Sequence, residues 1–67
     1  MSIGQRIRDI RQIRNLSVSE LAEKAGVSPS AVSRWEHDSR SPAVEHLTKL
    51  EEALQVGHGY LSKVARK

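Results

Sequence analysis

Apolar residues in this chain recur at three- and four-residue steps rather than in alternation, which is the period of helices and not of strands. Ile3, Ile7, Ile10 and Ile13 fall on one face of a first helix. Asn15 breaks that pattern ahead of Leu16. Ser17-Val18-Ser19-Glu20 is a capping box: the Ser17 hydroxyl accepts from the backbone N–H three residues on, and Glu20 reaches back. A short second helix follows, with Leu21, Ala22 and Ala25 inward. It stops at Gly26, a residue that enters the left-handed conformation without strain. Only Val27 separates this stop from the next start, where Ser28 is a good N-cap and Pro29 occupies the first helical position. The third helix is predicted to run to about His37, burying Val32 and Trp35, and Asp38-Ser39-Arg40 reads as a turn. Ser41-Pro42 repeats the cap-plus-proline start of a fourth helix, with Val44, Leu47, Leu50 and Leu54 inward. Gly57 and Gly59 mark a last break before a short helix carrying Tyr60, Leu61 and Val64. The prediction is an all-α unit of five helices with tight connections.

Composition narrows this further. Sixty-seven residues make one domain, 1–67, near the lower limit at which a single apolar core folds unaided. Hydrophobic residues are 37% of the chain, yet Phe is absent and aromatics are only 3%, which favours a small Leu/Ile/Val-packed unit over a deep ligand pocket. There is no Cys, so disulfides and thiolate metal sites are excluded. No apolar run approaches the roughly 18–20 residues of a membrane span, and no signal-type apolar region follows Met1. The expectation is a cytoplasmic protein with no membrane partner.

The net charge of +3 fits a polyanionic partner. Its distribution is uneven: residues 1–14 carry four Arg against Asp9, and the tail 63–67 carries Lys63, Arg66 and Lys67. The stretch between them is net −3.

Two helices joined across Gly26-Val27-Ser28 are forced into a steep crossing, and the small Ala22 lets them approach. This is helix-turn-helix geometry over about residues 18–37, in which the second helix can enter a DNA major groove. A generic helical hairpin would also want a glycine and an apolar face. Residues 3–61 also resemble the phage-repressor and Cro type of helix-turn-helix domain (lambda-repressor-like, XRE), a five-helix fold. The resemblance is carried by Ile3-Gly4-Gln5-Arg6-Ile7-Arg8, by the run from Leu16 to Ser28, and by Val32-Ser33-Arg34-Trp35-Glu36. Arg40-Ser41-Pro42, Leu47-Thr48-Lys49-Leu50 and Leu54-Gln55-Val56 continue it in order and spacing.

The resemblance implies roles for single residues. Base reading falls to Pro29, Ser30, Ser33 and Arg34. Arg34 is the best reader, because its fork matches guanine O6 and N7; a phosphate-bound or solvated guanidinium is the competing reading. The two serines are permissive readers. Pro29 replaces a polar residue often seen there and can offer only a thymine-methyl contact, so DNA shape carries part of the specificity. Phosphate contacts fall to Ser17, Val18 and Ser28 at helix starts, where N–H groups and the dipole favour an anion, and to Ser39, Arg40 and Ser41 in the loop. Val18 stands where the family often has Gln and would act through its backbone. Arg11 and Glu36 are implied to form a structural ion pair. Trp35 reads as core, and Asp38 stands where the family prefers Gly.

The family usually binds inverted repeats as two-fold dimers with recognition helices about 34 Å apart. Val56, Tyr60 and Val64 are the apolar dimer candidates, for a weak homodimer assembled on DNA. His37, His46 and His58 lack metal-ligand spacing, and no nucleophile–base set is placed by any motif. No metal, cofactor or catalysis is expected. The implied function is a nucleoid-associated transcriptional regulator, a repressor binding an operator. The alternative is a protein-interaction module, antirepressor or antitoxin-like, consistent with the acidic centre and the weak readers.

Overall fold

The computed structural model describes residues 2–57 and 59–61. Four helices form among them: α1 (Ile3–Ile13), α2 (Val18–Ala25), α3 (Pro29–Glu36) and α4 (Val44–Leu54). There is no strand among the described residues. The all-α expectation holds and the count is corrected, because of the fifth helix only Tyr60 and Leu61 are described, both with helical backbone. Val64, His58 and the tail 63–67 lie outside the described residues.

The first three helices start on serines. The Ser2, Ser17 and Ser28 hydroxyls accept from the backbone N–H groups of Gln5, Glu20 and Ala31 at 3.1, 3.0 and 3.2 Å. In α2 the capping box closes, with the Ser17 N–H donating to Glu20 Oε1 at 2.8 Å.

All four helices stop by one device. The residue after the last turn takes a left-handed backbone: Asn15 (φ 59), Gly26 (φ 72), Asp38 (φ 60) and Gln55 (φ 62). The next N–H then returns five residues, as Leu16 to Arg11 O, Val27 to Ala22 O, Ser39 to Arg34 O and Val56 to Glu51 O, at 3.0 Å in each case. These are Schellman closures, which satisfy carbonyls that the helix would otherwise leave open. Only one uses glycine. Asn and Asp adopt this backbone with less penalty than most side chains, whereas Gln55 takes it without that help.

Two sequence expectations are revised. The fourth helix does not begin on Ser41-Pro42: its N-cap is Ala43, which makes no side-chain cap bond. Pro42 is buried, so its ring is used as packing and the chain stays extended through Ala43 before turning. The inward stripe of α4 therefore begins at Leu47, and Val44 is 79% exposed. Ile13, assigned to the buried face of α1, is 73% exposed in the last turn.

The core is Ile7, Ile10, Leu21, Ala22, Ala25, Val32, Trp35, Leu50, Leu54 and Leu61. Helix α3 packs on α1 and α2, and α2 packs on α4. The approach of α1 to the end of α3 is close at Gly4. A Cβ there would collide with the Trp35 carbonyl oxygen and lie 2.8 Å from that of Glu36. Asp38 completes the junction, accepting from the Ser2 hydroxyl at 2.8 Å and the Gly4 N–H at 3.3 Å. A carboxylate thus sits at the N-terminus of α1, where the helix dipole favours it. Gly4→Ala is expected to lower the unfolding free energy by about 1–3 kcal/mol, the usual range for forced overpacking. Urea denaturation followed by the fluorescence of Trp35 measures this, and an unchanged midpoint would show that the junction relaxes freely.

Candidate nucleic-acid interface

Helix α3 is held from behind. The Arg11 guanidinium donates from Nε to Glu36 Oε2 at 2.6 Å and from Nη2 to Glu36 Oε1 at 3.2 Å. Its third nitrogen, Nη1, donates to the Leu16 carbonyl at 2.9 Å. The two side chains are 13% and 5% exposed. A planar fork on a carboxylate fixes orientation as well as distance. One residue of α1 therefore sets the end of α3 and the approach to α2 together. With Val32, Trp35 and Glu36 turned in, helical geometry turns Ser30 and Arg34 out and leaves Ser33 at the flank; Pro29 lies on the side of Val32 and is open because it begins the helix. Pro29, Ser30 and Arg34 are exposed, and Ser33 is half-buried.

Arg40, Ser39 and Ser41 are exposed in the loop after α3. Arg34 and Arg40 border one open cleft of about 300 Å³, with Ala31, Trp35, Ser41, Ala43 and His46 as its other walls. The sequence pattern placed these arginines in separate roles, and the structure puts them on one cleft. Among the described residues neither guanidinium has an ion pair or hydrogen-bond partner. His46 lies beside Trp35, with ring centroids 5.2 Å apart.

The helix starts differ in what they leave open. In α2 the N–H groups of Ser17 and Glu20 are used by the capping box, so the open donors of the first turn are Val18, half-buried, and Ser19, exposed. In α3, Pro29 has no N–H and Ala31 donates to the Ser28 hydroxyl, which leaves Ser30. Ser28 itself is exposed.

The basic N-terminal stretch proves to be internal wiring rather than an open patch. Arg6 donates from Nη1 to the Tyr60 hydroxyl at 3.1 Å, and its guanidinium lies over that ring, 5.2 Å from the centroid. Arg14 donates to the carbonyls of Leu54 and Gln55 at 2.9 and 3.2 Å, a cationic cap on the C-terminus of α4. With Arg11 on Glu36, three of the four arginines in residues 1–14 are engaged within the chain.

Sequence reasoning missed these roles of Arg6 and Arg14, and it missed two further residues. Glu51 is 2% exposed on the inward face of α4; its position four residues after Leu47 and one after Leu50 was the available signal. His37 places Nδ1 at 2.8 Å from the Ser33 carbonyl oxygen. Its place one turn beyond Ser33 puts it at the end of the outward face. Of the dimer candidates, Val56 is half-buried and Tyr60 is 38% exposed. Among the described residues no group of three or more acidic or His side chains could hold a metal ion, and no helix is long and apolar enough to cross a membrane.

A capped helix, a left-handed Gly26, a serine restart and an outward-facing third helix braced on the first define a helix-turn-helix domain of the phage-repressor type. The chain belongs to the Helix-turn-helix family, which it matches over residues 7–61. It is 44% identical over 55 residues to SinR of Bacillus subtilis (strain 168), an HTH-type transcriptional regulator, a match covering 81% of this chain and 50% of SinR. In three dimensions it is similar to the P22 c2 repressor in complex with a synthetic operator. That match has TM-score 0.85 and 36% identity, and covers 91% of this chain and 92% of the other. It is also similar to SinR in complex with DNA, with TM-score 0.84, 41% identity, and 90% and 97% covered. The chain thus spans about half the length of the curated SinR that it matches.

Arg11→Ala leaves the Glu36 carboxylate buried and unpaired, and about 3–5 kcal/mol is expected to be lost. The variant should show a lower Tm, and its loss of DNA affinity should follow from the unfolded fraction together with the loosened setting of α3. A variant that melts like the parent yet fails to bind would place Arg11 at the interface instead.

Proposed function

We propose that this chain is a sequence-specific double-stranded DNA-binding transcriptional regulator, a repressor that occludes its promoter by binding an inverted-repeat operator as a dimer. The observation that carries this reading is the accessible side of α3: Ser30 and Arg34 project outward, with Pro29 open at the helix start and Ser33 at the flank, from a helix fixed from behind and beside an unpaired Arg40. Relatives at 36% and 41% identity, matched over most of the chain, bind DNA with the same fold.

In this reading α3 enters the major groove. Arg34 reads a guanine through its fork, Ser30 and Ser33 accept or donate permissively, and Pro29 offers only apolar contact. Phosphates are held by Arg40 with Ser39 and Ser41, and by the open N–H groups at the starts of α2 and α3 around Ser17, Val18 and Ser28. Few strong base contacts leave part of the discrimination to DNA shape. Two copies related by a two-fold axis, meeting through Val56, Tyr60 and Val64, would double the half-site contacts and set their spacing at about one turn of DNA.

Selection of bound sites from a random duplex pool at near-physiological salt tests the whole reading. Enrichment of an inverted repeat with half-sites about 10 bp apart supports it. Salt-sensitive background binding without enrichment would make a protein partner the target of the fold.

The two arginines are then expected to separate. Arg34→Ala should cost about 1–3 kcal/mol on the selected site and relax preference at one base pair. Arg40→Ala should weaken all sequences alike and lower the salt slope by about 1. Titrations of both variants against the site and its single-base changes decide this, and equal losses on every sequence for Arg34→Ala would refute its role as a reader.

A further inference from the structure

Glu51 is the one buried acidic side chain among the described residues without a cationic partner, since Glu36 has Arg11. An ionised carboxylate taken out of water is costly unless hydrogen bonds replace its hydration. Here they come from the segment after α4: the Gly59 N–H donates to Oε1 at 3.0 Å and the Leu61 N–H to Oε2 at 2.9 Å. Gly59 has φ +87, a backbone that glycine takes without strain.

The same short segment is anchored in two further ways. Leu61 is fully buried in the core, and Tyr60 is held on its outer side by Arg6. Burial of Leu61 sets the depth of the segment but is non-directional. The two hydrogen bonds to one carboxylate set its rotation, and with it the direction in which the partly exposed Tyr60 points.

We propose that Glu51 is a positioning residue for self-association: its buried carboxylate fixes the Gly59–Leu61 segment so that Tyr60 is presented to a second copy of the chain. The inference rests on the dimeric reading above. It assigns no DNA contact to Glu51, so its signature lies in the difference between two half-sites and one.

The test measures the affinity of the full chain for duplexes carrying the selected inverted repeat or a single half-site, for the parent, Glu51→Gln and Glu51→Leu. Urea denaturation of each protein runs alongside. Glu51→Gln keeps the volume but turns an amide N–H₂ toward one of the two backbone donors. Glu51→Leu removes the acceptor and leaves the Gly59 and Leu61 N–H groups unpaired, so it is expected to unfold at a lower urea concentration than the parent while remaining folded in the absence of denaturant. Both should leave half-site affinity unchanged and reduce the preference for the full site by about tenfold or more, as expected for loss of a charge-assisted hydrogen bond.

A parent that binds both duplexes equally overturns the dimeric reading and this proposal with it. A parent with the preference, together with a folded Glu51→Leu that retains it, overturns the proposal alone. Parallel loss on both duplexes by a stably folded Glu51→Leu also overturns it.

Discussion

The grip of Arg11 on Glu36 and on the Leu16 carbonyl is the constraint on which the rest of the molecule depends. Helices of eight residues, as α2 and α3 are, bury too few side chains to fix their own orientation, and a hydrophobic contact is non-directional. A planar guanidinium with three engaged nitrogens is directional. It joins the end of α3, the chain leading into α2 and the later part of α1, so the outward face of α3 has a defined angle to the scaffold. The Gly4–Asp38 junction adds a second tie between α1 and the end of α3, at the opposite end of α1. Two points of attachment along one helix prevent α3 from pivoting, which hydrophobic packing alone would allow.

Much of this was legible in the chain because the signals are local. The Ser17–Glu20 box, the Gly26 stop and the Ser28-Pro29 start each depend on residues within one turn, and their stereochemistry leaves few alternatives. The exits through Asn15, Asp38 and Gln55 were legible only in part. A left-handed residue other than glycine is sustained by the hydrogen bond of its successor, and in every case here that N–H finds a carbonyl five residues back. The start of α4 misled for a related reason. Ser-Pro is a good helix opening in isolation, but burial of Pro42 decided the matter, and burial belongs to the tertiary structure.

Charge was the least transferable signal. Four arginines in the first fourteen residues give that stretch its positive excess, yet Arg6, Arg11 and Arg14 are directed to a tyrosine, a glutamate and two carbonyls within the chain. A sequence count cannot separate a cation that meets a partner from one that caps a neighbouring helix, because the pairings span 25 to 54 residues. The residues assigned to base reading on α3 came from the family resemblance, and helix phase independently supports Ser30 and Arg34, which lie opposite Val32 and Trp35. That Arg34 and Arg40 border one cleft was not readable, because it depends on the path of the loop between α3 and α4.

This use of cations bears on the proposed mode of action. With the arginines of the N-terminal stretch largely engaged, the free charge beside α3 is Arg34 and Arg40, supplemented by partial charges at helix starts. The Glu20 carboxylate sits at one of those starts and offsets part of its dipole. Affinity for DNA rises with the number of phosphates neutralised, so one copy of such a surface holds DNA weakly and discriminates little. A second copy raises both, provided the two recognition helices are kept in register. The demand for rigidity then passes from α3, which Arg11 satisfies, to the segment beyond α4, where Arg6, Arg14 and Glu51 converge on a few backbone groups and one tyrosine. The polar side chains buried in this small fold are thus placed where orientation matters, and the apolar core supplies the cohesion that lets them hold it.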